Sequence, residues 1–271
     1  QEFVRENLSG KEKTTRERNR HYQLKTEKRT FNHQNLPPHI MYKDDSINNG
    51  PKPLTAFREQ EKKYKKYHKV QTDFSDVLFH NEDNTAELSE KYHVSTNSKD
   101  GIQSYTLAEF PGFTIYRNLL PKSTQFQLTK KALTTYMYKP FRTNLTTFND
   151  NQPFEKDPSM AISNNPHLSK LHWATLGYQF EWTERRYPPE WFHDVPDEIL
   201  QVSEMICGHG AIDDFDPQSI IVNYYGVKST MLAHKDDVEI DYKQPVVSLS
   251  FGLSSIYLLG GDSRDVKPVP V

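Results

Sequence analysis

The residues best suited to chemistry are His234 and Asp236, which flank Lys235 near the C-terminal end of the sequence. Side chains at positions i and i+2 of a strand point to the same face, so an imidazole and a carboxylate spaced in this way can bind one metal ion. Two histidines and one carboxylate suit non-haem Fe(II), because they leave coordination positions open. His234 and Asp236 therefore predict two metal ligands. The alternative is a histidine that only forms a hydrogen bond at a strand end.

Two further polar residues precede this pair at the end of an apolar run. Asn223 stands eleven residues before His234, and Tyr225 follows Asn223 by two positions. Residues 220–225 predict a strand, on which Asn223 and Tyr225 share one face. An amide and a phenol on that face can hold the carboxylate of a small acid beside the metal. The alternative is a tyrosine packed inside a barrel with an asparagine at its rim.

Strands must position these residues, and the pattern after residue 218 is that of short strands. Val247, Leu249 and Phe251 alternate with serines, which is the period of a half-buried strand. A returning strand is predicted over residues 256–259, after a turn at residues 252–255. Short strands at this spacing favour a sandwich or a barrel.

Helices and loops are predicted upstream of these strands. The spacing of apolar residues predicts helices over residues 54–69 and 122–138, and Pro196 with the acidic residues after it predicts a helix that ends near Cys207. Strands are predicted at residues 110–116 and 173–182, and loops at residues 83–104 and 141–170. A globular body is expected to begin near Phe110.

The charge pattern separates a basic N-terminal part from an acidic remainder. The chain has 271 residues, of which 35% are apolar and 26% are charged. Residues 1–70 contain 17 Lys and Arg against 9 Asp and Glu, and the remainder contains 17 against 27. The basic part predicts either an anionic partner, with nucleic acid as the first choice, or a solvated tail. Its polar composition predicts disorder over the first 52 residues.

The composition also excludes several classes of protein. Cys207 is the only cysteine, which excludes a disulfide framework and a cysteine-rich zinc site. It favours an intracellular location, with nucleus, cytoplasm and mitochondrion all open. No apolar run is long enough to cross a bilayer, so no membrane partner is expected. We also expect a monomer.

Four motifs follow one another from residue 223 onward: N-Y-Y-G at Asn223, H-K-D at His234, P-V-V-S-L-S-F-G-L from Pro245 and I-Y-L-L-G-G from Ile256. Together they resemble the AlkB family of Fe(II)- and 2-oxoglutarate-dependent dioxygenases. Upstream, L-H-W-A-T-L-G-Y from Leu171 resembles the strand before the family's catalytic core. The F-P-G-F-T-I-Y segment and the predicted helix over residues 122–138 are similar to the eukaryotic AlkB homologue 1 branch. The resemblance covers about residues 54–261.

The resemblance implies a double-stranded β-helix, or jelly roll, with a nucleotide-recognition lid before it. The fold class is then mainly β with N-terminal helices (α+β). The expected domains are a basic, disordered extension, a helical and loop extension, the lid region and the start of the jelly-roll core, at residues 1–53, 54–109, 110–217 and 218–271 respectively.

The resemblance also implies roles for the site residues. The iron ligands would be His234 and Asp236, the residues that bind 2-oxoglutarate would be Asn223 and Tyr225, and the lid aromatics that flank a substrate base would be Trp173 and Tyr178. A base that leaves the duplex needs such rings, because it loses its stacking there. For the two lid aromatics, ordinary core packing is the alternative.

The activity implied by the resemblance is oxidative demethylation of N-methylated bases in nucleic acid, either transfer RNA or other RNA, or DNA. The cofactors Fe(II) and 2-oxoglutarate, with dioxygen, hydroxylate the methyl carbon. 2-Oxoglutarate becomes succinate and carbon dioxide, and the hydroxylated base releases formaldehyde. The basic residues 1–70 would add attraction to phosphates.

One departure from the family pattern concerns the third iron ligand. His234 is the last histidine of the sequence, and Arg264 is the only arginine after Asp236. The family supplies a second histidine and 2-oxoglutarate-binding arginines from later strands. We therefore expect a fragment of an enzyme. The alternatives are a natural truncation that binds nucleic acid or chromatin without catalysis, and an oxygenase that hydroxylates protein.

Overall fold

The computed structural model describes residues 53–65, 72–80, 82–147, 164–165, 168–181, 184–227, 229–239, 241 and 243–271. The chain divides into two units after Lys52, and all the described residues belong to the second unit, Pro53–Val271. The predicted disordered, basic extension over residues 1–53 lies almost entirely outside the described residues, and so does most of the predicted loop over residues 141–170. The described parts of that loop contain a two-residue strand, Arg142–Thr143, and single helical turns at Asn144–Thr147 and Leu168–Lys170.

The first part of this unit contains two helices and a three-stranded antiparallel sheet. They are α1 (Ala56–Lys65), α2 (Glu82–Lys91), β1 (Val94–Lys99), β2 (Ile102–Leu107) and β3 (Thr114–Arg117), with the strands in the order β1-β2-β3. The predicted loop over residues 83–104 is therefore wrong. It failed because β1 is polar and almost wholly exposed, so its sequence lacks the apolar alternation of a half-buried strand. The Asp100-Gly101 pair could have indicated the hairpin between β1 and β2. Both residues have positive φ, as a two-residue hairpin turn requires.

The second part contains the sheet that positions the candidate site. Its elements are α3 (Lys122–Thr134), β4 (Arg142–Thr143), the single turn α4 (Asn144–Thr147), β5 (Trp173–Gly177), α5 (Asp197–Gly208) and β6 (Ser219–Asn223), and the strands lie antiparallel in the order β4-β5-β6. Helices α3 and α5 confirm the predicted helices over residues 122–138 and from Pro196 to near Cys207. Helix α3 ends four residues before its predicted end. The fully buried Ala174 and Leu176 of β5 pack with Tyr136 after α3 and with Ile199 of α5. One face of this sheet is thus covered by helices.

The last strands, β7 (Leu258–Leu259) and β8 (Val269–Pro270), form an antiparallel pair that joins the C-terminal end to the first sheet. Leu259 and Val269 share one apolar cluster with Leu78, Leu88 and Leu107. The Leu78 amide also donates a hydrogen bond to the Pro270 carbonyl, at 2.8 Å. The predicted start of the globular body near Phe110 is therefore wrong, because apolar residues scattered before it are buried by the C-terminal strands.

The architecture agrees with the α+β class, but the strands predicted around His234 and over Val247–Phe251 are missing. Residues 229–239 and 243–257 contain neither helix nor strand where the structure describes them. The alternating run from Val247 to Phe251 lies here, and a strand forms only when a second stretch of backbone pairs with it. No partner strand for it occurs among the described residues. In the same part of the chain, none of the helices has both the length and the apolar character that a bilayer crossing requires.

Acid is expected to weaken the contact between α5 and the residues after α3. Tyr136 Oη donates a hydrogen bond to Glu198 Oε1 at 2.6 Å, and Lys131 Nζ lies 3.5 Å from the same oxygen. Burial alone would raise the pKa of Glu198, but these two contacts hold the pKa below its usual value. The contact therefore stabilises the fold fully above the carboxyl's unfolded pKa, and its contribution is lost as pH falls through the lower, folded pKa.

Glu198→Gln tests this pH dependence. Between about pH 7 and about pH 3, the variant is expected to lose less free energy of unfolding than the wild type, by on the order of 1 kcal/mol after allowance for solvent screening. Urea titrations across this range measure the difference. Glu204→Gln is the matched control, because Glu204 is an exposed carboxylate on the same helix. Identical pH slopes for Glu198→Gln and the wild type would contradict the assignment.

Candidate functional site

The face of the β4-β5-β6 sheet opposite the helices carries two of the predicted site residues. Trp173 lies directly opposite Asn223, and Thr175 lies opposite Ile221. Directly opposed side chains of antiparallel strands have Cβ atoms about 5 Å apart and point the same way. Asn223 is exposed and Trp173 is half-buried. The fold therefore brings together a predicted lid aromatic and a predicted 2-oxoglutarate residue that are fifty positions apart in sequence.

Tyr225 lies just beyond this sheet, because β6 ends at Asn223 rather than at residue 225 as predicted. Tyr224, between them, is anchored on the helix side. Its amide donates a hydrogen bond to the His172 carbonyl at 2.9 Å, and its Oη donates one to the Ala132 carbonyl at 2.7 Å. Burial raises the pKa of Tyr224, which keeps its hydroxyl protonated as a donor. Asn223 and Tyr225 thus flank a fixed point of the chain.

His234 and Asp236 are brought together, although not by a strand. The predicted strand is wrong here, since residues 229–239 have no regular secondary structure. His234 Nε2 nevertheless lies 3.6 Å from Asp236 Oδ1, and both side chains are about half exposed. At this distance the two atoms are too far apart for a hydrogen bond. The i, i+2 spacing therefore predicted the proximity of the two side chains correctly but predicted the wrong backbone.

The Nδ1 atom of His234 forms a hydrogen bond that shows where the imidazole carries a proton. Nδ1 lies 2.7 Å from the Leu232 carbonyl oxygen. A carbonyl can only accept, so Nδ1 carries a proton, and in the neutral imidazole Nε2 then keeps a lone pair on the side of Asp236. A hydrogen bond from one ring nitrogen to a backbone carbonyl commonly orients a histidine whose other nitrogen binds a metal. The donor chemistry of this pair therefore fits a divalent metal.

The distance between the two donors supports the same conclusion. Bonds of about 2.1 Å from one metal ion to Nε2 and Oδ1 place these atoms about 3.0 Å apart at a right angle, so a small side-chain rotation closes the observed gap. The pair supplies two coordination positions. Among the residues that the structure describes, no group of three His, Cys, Asp or Glu could hold a metal ion. A third protein ligand is thus not found in the described part of the chain.

Two tyrosines near Asp236 were missed by the sequence analysis. Burial raises the pKa of Tyr187, and the negative charges of Glu239 and Asp236 add to this effect. Burial also raises the pKa of Tyr257, again with a contribution from Asp236. Asp236 is thus within electrostatic reach of a phenol from the predicted lid region and of one from the C-terminal end. No spacing rule links these positions, although Tyr187 ends an aromatic-rich stretch that marks it as a candidate.

Tyr178 occupies a different position from Trp173. The residue is 6% exposed, and its ring packs against Phe192, with the ring centroids 4.6 Å apart. Its amide donates a hydrogen bond to the Gln218 carbonyl at 2.8 Å. Trp173 is the first residue of β5, and Tyr178 comes directly after its last residue, Gly177. The two rings therefore lie at opposite ends of β5, and the assignment of both as base-flanking aromatics stays a prediction.

Comparison with known proteins identifies the family. Residues 112–271 match the model of the 2OG-Fe(II) oxygenase superfamily. The chain belongs to this superfamily. Within it, the chain is 30% identical to the DNA N(6)-methyladenine demethylase ALKBH1A of Arabidopsis thaliana, over 79% of this chain and 76% of the relative. It is 31% identical to the tRNA demethylase abh1 of Schizosaccharomyces pombe, with the same two coverages. The AlkB family and its homologue 1 branch, predicted from motifs, are thereby confirmed.

A human relative is matched over a shorter part of its length. The chain is 30% identical to the nucleic acid dioxygenase ALKBH1 of Homo sapiens over 68% of this chain. It spans about half of that protein, 51%, against about three quarters of the plant and yeast relatives. The 2OG-Fe(II) oxygenase superfamily has a jelly-roll fold and uses Fe(II) and 2-oxoglutarate, so the match supports these expectations at the level of the family.

Proposed function

We propose that the protein is an Fe(II)- and 2-oxoglutarate-dependent dioxygenase that oxidatively demethylates N-methylated bases in nucleic acid. The observation that carries this proposal is the state of His234, whose Nδ1 donates to the Leu232 carbonyl while Nε2 is turned towards Asp236. That arrangement suits a metal ligand. Membership of the oxygenase superfamily supports iron as the metal and 2-oxoglutarate as the cosubstrate.

The names of the relatives support nucleic acid as the substrate. They describe a demethylase of DNA N(6)-methyladenine, a nucleic acid dioxygenase and a tRNA demethylase. A methylated base in RNA or DNA is thus the proposed substrate of this chain. The basic residues 1–70 and the half-buried ring of Trp173 are the proposed contacts, since lysines and arginines attract phosphates and indole rings stack on bases.

Each residue of the site has a proposed role in this reaction. His234 Nε2 and Asp236 Oδ1 would hold Fe(II), and the Leu232 carbonyl orients the imidazole by accepting from Nδ1. Asn223 and Tyr225 would bind the 2-oxoglutarate carboxylate beside the metal, and Tyr224 fixes the chain between them. Fe(II) and 2-oxoglutarate together supply the oxidising chemistry, whereas the protein positions the methyl group and excludes water from it.

Turnover by the full-length protein tests the proposal. Succinate and formaldehyde are measured with Fe(II), 2-oxoglutarate and oligonucleotides of DNA or RNA that carry N-methylated bases. Formation of both products, dependent on iron and on the methylated base, is the expected result. Succinate formed only with a peptide substrate would instead favour the oxygenase that hydroxylates protein. Oligonucleotide binding without succinate would favour a non-catalytic binding protein.

The two adjacent tyrosines offer a matched pair for the 2-oxoglutarate site. Tyr225→Phe removes a hydroxyl proposed to contact a carboxylate, and hydrogen bonds to charged groups contribute about 1.5–3 kcal/mol, so KM for 2-oxoglutarate is expected to rise by about tenfold or more. Tyr224→Phe removes a hydroxyl bonded to the Ala132 carbonyl instead. It is expected to lower the free energy of unfolding by about 1 kcal/mol and to leave KM for 2-oxoglutarate unchanged. Equal KM values for Tyr225→Phe and the wild type would remove Tyr225 from the site.

The proposed cellular compartment rests on the single cysteine of the chain. Cys207 is the single cysteine, and it is unpaired. An unpaired thiol suits a reducing, intracellular compartment, and we propose the nucleus, the cytoplasm or the mitochondrion. A monomer is proposed as the working form.

A further inference from the structure

A guanidinium and an indole ring stack at the edge of the candidate site. The Arg142 Cζ lies 4.0 Å from the ring centroid of Trp191. Arg142 belongs to the edge strand β4, and Trp191 ends a short 3₁₀-helix, Pro189–Trp191. A guanidinium stacked on a ring keeps its N–H groups free around its rim, where they can form two parallel hydrogen bonds to one anion.

The sheet register places Arg142 on the same face as the candidate site. Arg142 lies opposite Thr175, and Thr175 lies opposite Ile221 on the other side. Trp173 is two positions from Thr175 on β5, so its side chain is the diagonal neighbour of Arg142, at about 7–8 Å between Cβ atoms. Asn223 follows directly opposite Trp173. Arg142, Trp173 and Asn223 therefore form a diagonal row across one face of the sheet.

The charge of Arg142 is not balanced within the described residues. Its half-buried side chain forms no ion pair there, and the Trp191 ring is the contact that holds it. Other arginines differ: Arg58 pairs with Glu61, Arg185 with Asp237 and Arg186 with Glu184. Removing a cation from water without an anionic partner is unfavourable. An anionic ligand at this position would therefore be bound favourably.

We propose that Arg142, stacked on Trp191, binds a backbone phosphate of the nucleic-acid substrate next to the base held at Trp173. This inference rests on the proposed function and names the residue that contacts the substrate backbone. Phosphate is favoured over the 2-oxoglutarate carboxylate because Arg142 lies on β4, two strands away from Asn223 on β6. Two indole rings beside one guanidinium also match the pairing of stacking surface and cation found in single-strand binding sites.

Binding of a fluorescently labelled, N-methylated single-stranded oligonucleotide to the full-length protein tests this contact. Arg142→Gln is expected to weaken the Kd about tenfold and to reduce the slope of log K against log salt concentration by about one. Arg117→Gln is the matched control, because Arg117 is an exposed arginine on β3 of the other sheet. It is expected to bind as the wild type does. Equal Kd values for Arg142→Gln and Arg117→Gln overturn the proposal.

A second pair of variants separates a phosphate contact from a loss of structure. Trp191→Phe keeps a ring under the guanidinium and is expected to keep most of the affinity, whereas Trp191→Leu is expected to weaken binding as Arg142→Gln does. All variants are expected to melt close to the wild-type temperature. Folded Trp191→Leu with wild-type affinity would mean that the stack does not hold Arg142 for binding.

Two further readouts distinguish this inference from the proposed function. KM for 2-oxoglutarate and turnover of a free methylated nucleoside, which has no phosphate, are expected to be the same in Arg142→Gln and in the wild type. A raised KM for 2-oxoglutarate with unchanged oligonucleotide binding would assign Arg142 to the cosubstrate and overturn the phosphate contact. Absence of turnover in the wild type would defeat the proposed function, while the binding comparison would still decide the role of Arg142.

Discussion

His234→Ala is expected to abolish iron-dependent succinate formation. The substitution removes Nε2, which is turned towards Asp236, together with the hydrogen bond from Nδ1 to the Leu232 carbonyl. Loss of a residue that only orients a ligand costs about 10–100-fold in metal affinity or activity, so loss of the ligand itself should exceed 100-fold. Titration with Mn(II) or Co(II) under the same conditions should show a parallel loss of metal binding. Both effects follow from one missing nitrogen.

His172→Ala is the control that makes this result specific. His172 is exposed, and its backbone contacts with Asn144 and Tyr224 do not require the imidazole. Its metal affinity and turnover are expected to equal those of the wild type. Wild-type metal affinity in His234→Ala, or an equal loss in both variants, would show that the imidazole of His234 is not a ligand.

Gly177→Ala is expected to have the largest effect on stability. Gly177 has φ +72°, and a Cβ atom added there would lie 2.2 Å from the Gln218 carbonyl oxygen. That carbonyl belongs to the backbone and accepts the hydrogen bond from the Tyr178 amide, so it cannot move without disturbing the start of β6. The positive φ costs about 1 kcal/mol for alanine, and the clash adds a few more, so the free energy of unfolding should fall by about 3 kcal/mol or more.

Gly112→Ala measures the cost of the positive φ without the cost of a steric clash. Gly112 has φ +86°, and a Cβ added there would meet no atom within 4 Å. Only the conformational cost applies, so the loss should be about 1 kcal/mol. Urea unfolding of both variants measures the difference. Equal losses would mean that β6 adjusts freely to the new methyl group, contrary to the close approach of the two strands.

The sequence predicted the elements whose stability is local. Helix α5 was predicted because Pro196 and the acidic residues of its first turn mark its start, and its apolar face contacts α3 through Val202 and Ile206. Strand β1 was missed because it depends on its pairing with β2 rather than on its own composition. The opposite error occurred at Val247, where apolar alternation predicted a strand that no described segment pairs with.

Only those contacts of the candidate site that join residues close in sequence could be predicted. The proximity of His234 and Asp236 follows from two positions of sequence. The pairing of Trp173 with Asn223, and the stack of Arg142 on Trp191, join residues far apart in the chain. Such contacts depend on strand register and on the approach of separate segments. No periodicity within one segment carries that information.

The contact between Leu78 and Pro270 sets when the chain can fold during its synthesis. About 190 residues separate these two positions, and closing so long a loop has an entropic cost that only the finished cluster can offset. A ribosome adds about 5–20 residues per second, so about 8–32 s pass between the emergence of Leu107 and that of Leu259 and Val269. Throughout this interval Leu78, Leu88 and Leu107 lack their partners. We therefore expect this apolar cluster to be completed only after β7 and β8 have been translated.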